Sequence, residues 1–239
     1  MKQLHIVQLY INEMNTYGDR GNLLTLSKRI HWHGYEPVVH YYHLHGDLPD
    51  KIDIVLGGGG QDAAQLDIQK DIQTISSRLH KLADDNVPML MVCGTYQLFG
   101  NRFLTHSGDE MKGIGIFNAE TIGGDKRLIG NIAVKTDFAG PMYGFENHSG
   151  RTYLAAGQDY MATVTRGNGN NGEDKHEGAR TNNVFGTYMH GPVLPSNPEF
   201  TDYLIKLAAE RDGSAFKPTK IDDSLADQAR QAAARRNYY

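Results

Sequence analysis

The sequence of 239 residues holds one cysteine, Cys93. It follows the apolar run Pro88-Met89-Leu90-Met91-Val92 and precedes Gly94. A strand that turns sharply into a helix lifts the corner residue above a sheet. The helix amides beside it carry partial positive charge, which favours a thiolate. A cysteine so placed can attack a carbonyl carbon. The same residue also suits a plain structural role, because free cysteines often pack as small hydrophobes.

A base for that thiol is available downstream. His190 ends a second apolar run, Val184-Phe185-Gly186-Thr187-Tyr188-Met189, and Gly191-Pro192 follows it. In open α/β sheets, ligands and reacting groups collect at the carboxyl ends of strands. A cysteine and a histidine at two strand ends can therefore meet, and an imidazole that takes the thiol proton activates the sulfur. Most of the other histidines read as satisfied core or surface residues. His31, His33, His40, His43 and His45 fall on different predicted elements without a ligand spacing, so no metal site is expected.

Gly57-Gly58-Gly59-Gly60 ends a third apolar run, Ile52-Asp53-Ile54-Val55-Leu56. Consecutive glycines can turn backbone N–H groups into a site, where they would hold the oxyanion of a tetrahedral intermediate. A phosphate loop is the other chemistry such glycines serve. No Lys-Ser or Lys-Thr follows them, and no Gly-x-Gly-x-x-Gly leads to a ribose-binding acid, so both nucleotide patterns fail. A flexible turn also explains four glycines.

Elements must bring these three points together. Leu4 to Tyr10 reads as a strand and Asn15 to Asn22 as a polar loop. Leu23, Leu24, Leu26 and Ile30 have helical spacing, with Gly34 as the stop. Glu36 to His43 reads as a strand. A helix spans about Gln61 to Ala83, with Ala64, Ile68, Ile72, Ile75, Leu79 and Leu82 on one face. Pro88 to Val92 is apolar throughout, as strands buried on both faces are. A short helix over Thr95 to Phe99 follows it. This alternation predicts an α/β fold, a single domain with a mostly parallel central sheet flanked by helices.

Between Gly113 and Thr165 only short β-like runs are visible, among them Ile132 to Val134 and Met161 to Val164. Arg166 to Arg180 is rich in Gly and Asn and reads as a loop. A helix spans Glu199 to Glu210, and a polar helix that frays spans Asp222 to Arg236. The expected division is a domain over residues 1–210 and a helical tail over residues 211–239.

The net charge is −4 with histidines neutral, which argues against a binder driven by phosphate neutralisation. With one cysteine no intramolecular disulfide can form. No apolar run approaches the roughly 18 residues of a membrane span, and Met1 to Gln8 lacks the pattern of a signal peptide. A cytoplasmic protein is the expectation.

Several runs together carry a resemblance. Val92-Cys93-Gly94-Thr95-Tyr96-Gln97-Leu98-Phe99-Gly100 resembles the nucleophile elbow of class I glutamine amidotransferases. Thr187-Tyr188-Met189-His190-Gly191-Pro192 resembles the histidine motif of their cobyric-acid-synthase-like branch. Tyr17 to Asn22, Arg127 to Asn131, Gly144 to His148 and Gly169 to Asp174 narrow the match to the GatD-type glutaminase subunits of lipid II isoglutaminyl synthases. The resemblance runs from about Gln8 to Pro198.

The resemblance implies a glutaminase. Cys93 would attack the side-chain amide of glutamine, and His190 would take the thiol proton and later protonate the departing ammonia. Backbone amides of Gly59, Gly60 and Gly94 would hold the oxyanion. Arg127 matches the arginine that holds glutamine in such proteins, and a guanidinium suits a carboxylate. Without the resemblance Arg127 reads as a surface residue. Gln97, in the first turn of a helix, would line the pocket. The implied partner is a Mur-ligase-like synthetase subunit of the MurT type in a heterodimer. It would bind the ATP and Mg, since this chain is expected to carry no cofactor, and would amidate the α-carboxyl of D-glutamate in the lipid II stem peptide.

One position departs from the wider class, whose members often carry Glu two residues after the histidine. Here that residue is Pro192. An acid from elsewhere, expected from the partner subunit, would have to orient His190. Two other readings are a glutaminase for cobyric acid synthesis and a non-catalytic scaffold of the same fold. Cobyric acid enzymes usually carry the glutaminase behind a synthetase domain. No such domain precedes the first strand here, so a free-standing subunit is expected. Loss of the local Glu motivates the scaffold reading, and the presence of both Cys93 and His190 opposes it.

Overall fold

Three apolar strands lie side by side at the centre of the structure, a computed structural model that describes residues 1–235. The chain enters through β1 (Gln3–Leu9), α1 (Arg20–Trp32), β2 (Glu36–Tyr42), β3 (Ile54–Gly57), α2 (Asp62–Asp84), β4 (Met89–Val92) and α3 (Gly94–Phe99). Short strands β5 (Arg102–Leu104) and β6 (Glu110–Lys112) lead to the long hairpin of β7 (Ala119–Lys135) and β8 (Pro141–Leu154). Then come β9 (Ala162–Arg166), β10 (His176–Glu177), β11 (Ala179–Thr181), β12 (Val184–Thr187) and β13 (Met189–His190). Helices α4 (Val193–Ser196), α5 (Pro198–Glu210) and α6 (Ser224–Arg235) close the chain.

The central sheet has six strands in the order β11-β12-β4-β3-β1-β2. All neighbours are parallel except the edge pair β11–β12. Every residue of β3, β4 and β12 is buried, which is why these segments read as unbroken apolar runs. Strand β4 lies between β3 and β12, with Gly57 level with Met91 and Thr187 level with Val92. The glycine run and the chain leading to His190 therefore leave the sheet on either side of Cys93.

Helix α2 buries Ile68, Ile72, Leu79 and Leu82, with Ala64 and Ile75 packed at the margin. On α1, Leu23, Leu26 and Ile30 face the core, whereas Leu24 is 58% exposed. Pro198 opens α5 at a position where its missing N–H leaves no bond unmade. Among the described residues no helix is long and apolar enough to cross a membrane.

The second sheet has seven strands built around the β7–β8 hairpin. Of the short runs expected between Gly113 and Thr165, Ile132 to Val134 is part of β7, and Met161 to Val164 leads into β9. The pairing of β7 with β8 slips between Gly123 and Leu128, and the polar stretch Gly124-Asp125-Lys126-Arg127 at the slip hides the alternation on which a sequence reading relies. The segment Arg166 to Arg180 is more ordered than its composition implies. Asn170 exchanges hydrogen bonds with both backbone groups of Gly178, and Asn171 Oδ1 accepts the N–H groups of Glu173 and Asp174. Side-chain amides replace an apolar period here as the organising element.

The tail is pinned rather than loose. Arg29 on α1 bridges Asp202 at 2.6 Å and Asp223 at 2.5 Å. Arg230 on α6 meets Glu199 at 2.7 Å and also Asp227. Arg236, where the sequence placed the end of the last helix, and the final residues of the tail lie outside the described residues.

Candidate active site

Cys93 sits at the corner between β4 and α3 with φ 51° and ψ −104°. A non-glycine residue in this region stores roughly 1–3 kcal/mol of strain, so the surroundings must hold it there. Its N–H donates to Thr187 O at 2.8 Å, and its carbonyl accepts from Gln97 N–H at 3.0 Å. Thr95 completes the frame. Its hydroxyl donates to Gly58 O at 3.0 Å and accepts Val92 N–H at 3.1 Å, tying the corner to the glycine run.

The glycines serve close approach. A Cβ on Gly59 would stand 2.9 Å from His190 Cε1, 3.1 Å from Cys93 Cβ and 3.3 Å from Asp19 Oδ2. Gly59 is thus the floor on which cysteine, histidine and an aspartate converge. A Cβ on Gly58 would fall 2.1 Å from Met14 O, closer than any relaxation of a side chain could relieve.

His190 is 1% exposed. Its Nδ1 lies 3.8 Å from Asp19 Oδ1, inside ion-pair range but beyond a hydrogen bond. Asp19 is itself buried, and its other oxygen accepts Gly59 N–H at 2.7 Å. Burial opposes a charge on His190, but the Cys93 sulfur and the Asp19 carboxylate outweigh it and raise the ring well above its ordinary range. The arrangement favours a protonated His190 beside the Cys93 sulfur. The Tyr17 ring covers the imidazole, with centroids 4.3 Å apart.

A carboxylate of this chain also lies close to His190. Proline occupies position 192, and a Cβ on Gly21 would lie 2.3 Å from Pro192 Cγ. The segment that carries Asp19 therefore packs directly on the residue standing where related enzymes carry Glu. An acid on this chain thus stands near His190, where the sequence led us to expect one from a partner.

Cys93 opens on a cavity of about 470 Å³ lined by Tyr17, Gly60, Gln65, Gln97, Arg127 and His148, among others. Arg127 stands at its mouth on the slipped part of β7. Its Nε donates to Asn147 Oδ1 at 2.7 Å, and its Nη2 to Asn147 O at 2.9 Å and Tyr17 Oη at 3.2 Å. Gln97 forms the floor. Its Nε2 donates to Tyr188 Oη at 3.1 Å, and its Oε1 accepts from Gln65 at 3.0 Å. Gln97 has both ends engaged by protein and shapes the pocket from below.

Of the three glycine amides named from sequence, Gly59 N–H is occupied by Asp19. The N–H groups of Gly60 and Gly94 have no protein partner among the described residues, and both glycines are buried or nearly so beside Cys93. Gly60 and Gly94 are thus the two of the three glycines whose amides no described group occupies.

Sequence reasoning gave no role to Asp19, Tyr17, His148 or Glu177. Asp19 and Tyr17 fall in the polar run Tyr17 to Asn22, whose charged residues would ordinarily face solvent. An aspartate two residues after Tyr17 within a motif shared with enzymes was the available signal.

A family model described as the CobB/CobQ-like glutamine amidotransferase domain matches residues 5–198. The subunit GatD of lipid II isoglutaminyl synthase (glutamine-hydrolyzing) from Staphylococcus aureus (strain N315) is 40% identical over 97% of this chain and 95% of its own length. The protein of the same name from Streptococcus pneumoniae (strain ATCC BAA-255 / R6) is 38% identical over 87% of this chain and 82% of its own length. Among solved structures, PurLQS from Thermotoga maritima superposes with a TM-score of 0.61 at 15% identity, covering 88% of this chain and 99% of that one. That last likeness speaks to fold. The chain belongs to the family of CobB/CobQ-like glutamine amidotransferase domains.

Proposed function

We propose that this chain is the glutaminase subunit of a lipid II isoglutaminyl synthase. The observation that carries the chemistry is the convergence of Cys93, His190 and Asp19 around Gly59. The two GatD subunits, similar along most of their length, support the choice of pathway.

The thiolate of Cys93 attacks the side-chain carbonyl carbon of glutamine, and the carbonyl electron pair moves to oxygen. Gly60 and Gly94 N–H groups hold that oxyanion. His190 passes its proton to the amide nitrogen, the C–N bond breaks, and ammonia leaves a glutamyl thioester on Cys93. His190 then takes a proton from water as the water attacks the thioester, and the thiolate departs from glutamate. Asp19 places negative charge behind His190 and keeps the ring oriented. Arg127, already fixed by Tyr17 and Asn147, holds the α-carboxylate.

Ammonia passes to a Mur-ligase-like partner of the MurT type in a cytoplasmic heterodimer. That partner binds ATP and Mg, activates the α-carboxyl of D-glutamate in the lipid II stem peptide, and forms the amide. The domain performing the hydrolysis is residues 1–210, with residues 211–239 as a tail whose Asp223 is held by Arg29.

Alkylation with a diazo-ketone analogue of glutamine tests the reading. One adduct on Cys93, blocked by excess glutamine and lost in His190→Ala, is expected. In the complex, Cys93→Ala should abolish amidation from glutamine and retain it with ammonium salts. Full amidation from glutamine by Cys93→Ala would refute the proposal.

A further inference from the structure

The pocket beside Cys93 contains a histidine that the mechanism above leaves unused. His148, on β8, is 2% exposed and lines the cavity. Its Nδ1 is 2.7 Å from the carbonyl oxygen of Gly150. A carbonyl oxygen only accepts, so the proton of the neutral ring is on Nδ1 and Nε2 is a bare lone pair. Burial, the largest influence, holds the ring's pKa down to about 3, and the charges of Arg151, His190 and Arg127 act in the same sense. His148 is therefore neutral at neutral pH.

No protein donor reaches Nε2 among the described residues. The ring is not free to turn away. It stacks on Tyr188 with centroids 3.7 Å apart and planes 6° from parallel. Tyr188 is fixed in turn by Gln97 at 3.1 Å and Thr152 at 2.6 Å. An acceptor held in this way without a donor is destabilising, and a ligand that brings the donor removes the penalty. Gln65 Oε1, also on the pocket wall, is a second acceptor without a donor. Gly60, on the same wall, and Gly94, beside Gln65, carry amides that no described protein group accepts. The pocket is thus complementary to a ligand carrying both N–H and carbonyl groups.

Resting on the glutaminase reading, we propose that His148 Nε2 is a specificity-determining acceptor that takes a hydrogen bond from an N–H of bound glutamine. Glutamine offers two such donors, its carboxamide and its α-ammonium. If the carboxamide is read, the product glutamate presents an oxygen lone pair to Nε2 instead, and the contact that favours substrate turns repulsive.

The test follows protection of Cys93 against iodoacetamide, which requires no turnover. Protection constants are measured for L-glutamine and for glutaramic acid, which keeps the carboxamide and lacks the α-amino group. His148→Phe keeps the stacked ring and removes the acceptor; His148→Gln restores an amide oxygen. Weakening of glutamine protection by about tenfold or more is expected in His148→Phe. Recovery to within about threefold is expected in His148→Gln, with the unprotected alkylation rate unchanged in both. The same loss with glutaramic acid assigns the donor to the carboxamide, and no loss with it assigns the α-ammonium. Equal glutamine protection in His148→Phe and the parent chain overturns the proposal, as does a loss that His148→Gln fails to restore. Absence of glutamine protection in the parent chain itself would sink the glutaminase reading, and the role of His148 with it.

Discussion

His190 Nδ1 and Asp19 Oδ1 face each other 3.8 Å apart, both buried and neither hydrogen-bonded to any described residue. A shift of under an ångström would join them. Asp19→Asn keeps an oxygen for Gly59 N–H and removes the charge. We expect kcat for glutamine hydrolysis to fall about 100-fold, the scale of positioned acid–base catalysis. The pH at which Cys93 becomes reactive to iodoacetamide should also rise, because the imidazolium that stabilises the thiolate is weakened. An unchanged pH profile with kcat within about threefold of the parent would remove Asp19 from the mechanism.

Gly59→Ala probes the floor of the site. The added methyl would stand 2.9 Å from His190 Cε1 and 3.1 Å from Cys93 Cβ, so one of them must move. Overpacking of this kind costs roughly 1–3 kcal/mol of stability. The folded protein should persist while the hydrolysis rate falls about 100-fold or more, since a displacement of about 1 Å at reacting groups has that effect. Calorimetry and single-turnover kinetics on the same sample separate the two consequences. A variant with parental kinetics would show that the convergence at Gly59 is looser than the structure has it.

Glu177 makes stability depend on pH. It is fully buried and shares one oxygen between Thr187 Oγ1 at 2.6 Å and Tyr188 N–H at 2.8 Å. Burial is the largest influence and pushes its pKa up to about 7 from 4.5. The folded state therefore holds a proton that the unfolded chain releases between those values. Stability contributed by this group is present below pH 4.5 and is lost as pH climbs through about 7. Glu177→Gln does not titrate, so its stability relative to the parent should improve by up to about 3 kcal/mol between pH 4.5 and pH 8. Urea denaturation at the two pH values measures it; parallel curves would contradict the burial argument.

Arg127 tests substrate grip apart from chemistry. Its fork spans Asn147 and Tyr17 at the pocket mouth, a geometry that a lysine cannot reproduce. Arg127→Lys should raise KM for glutamine about tenfold and leave kcat within about threefold. A fall in kcat with KM unchanged would place Arg127 in the reaction step instead.

The parts of the site visible in the sequence share one physical property. Cys93 and the glycine run end apolar strands buried on both faces, and His190 follows such a strand by three residues, the expected single run breaking after Thr187; such strands announce themselves by composition. Asp19 belongs to a polar loop, where nothing local shows that its carboxylate is 2% exposed. His148 alternates with half-buried neighbours on a strand whose partner carries a register slip, so its inward face was not legible. Glu177 lies in the Asn- and Gly-rich segment whose order comes from side-chain amides. The parallel sheet followed from the alternation of strands and helices in the first hundred residues. The β7–β8 hairpin did not, because its Gly- and charge-rich middle interrupts the period.

The base occupies a seam. Thr187 pairs with Val92 in the central sheet, yet His190, three residues later, pairs with Phe145 in the second. The nucleophile is anchored to one sheet only. Proton exchange between the two therefore gauges how the sheets sit against each other. A force applied to the β7–β8 hairpin would reach the base through the pairing of His190 with Phe145.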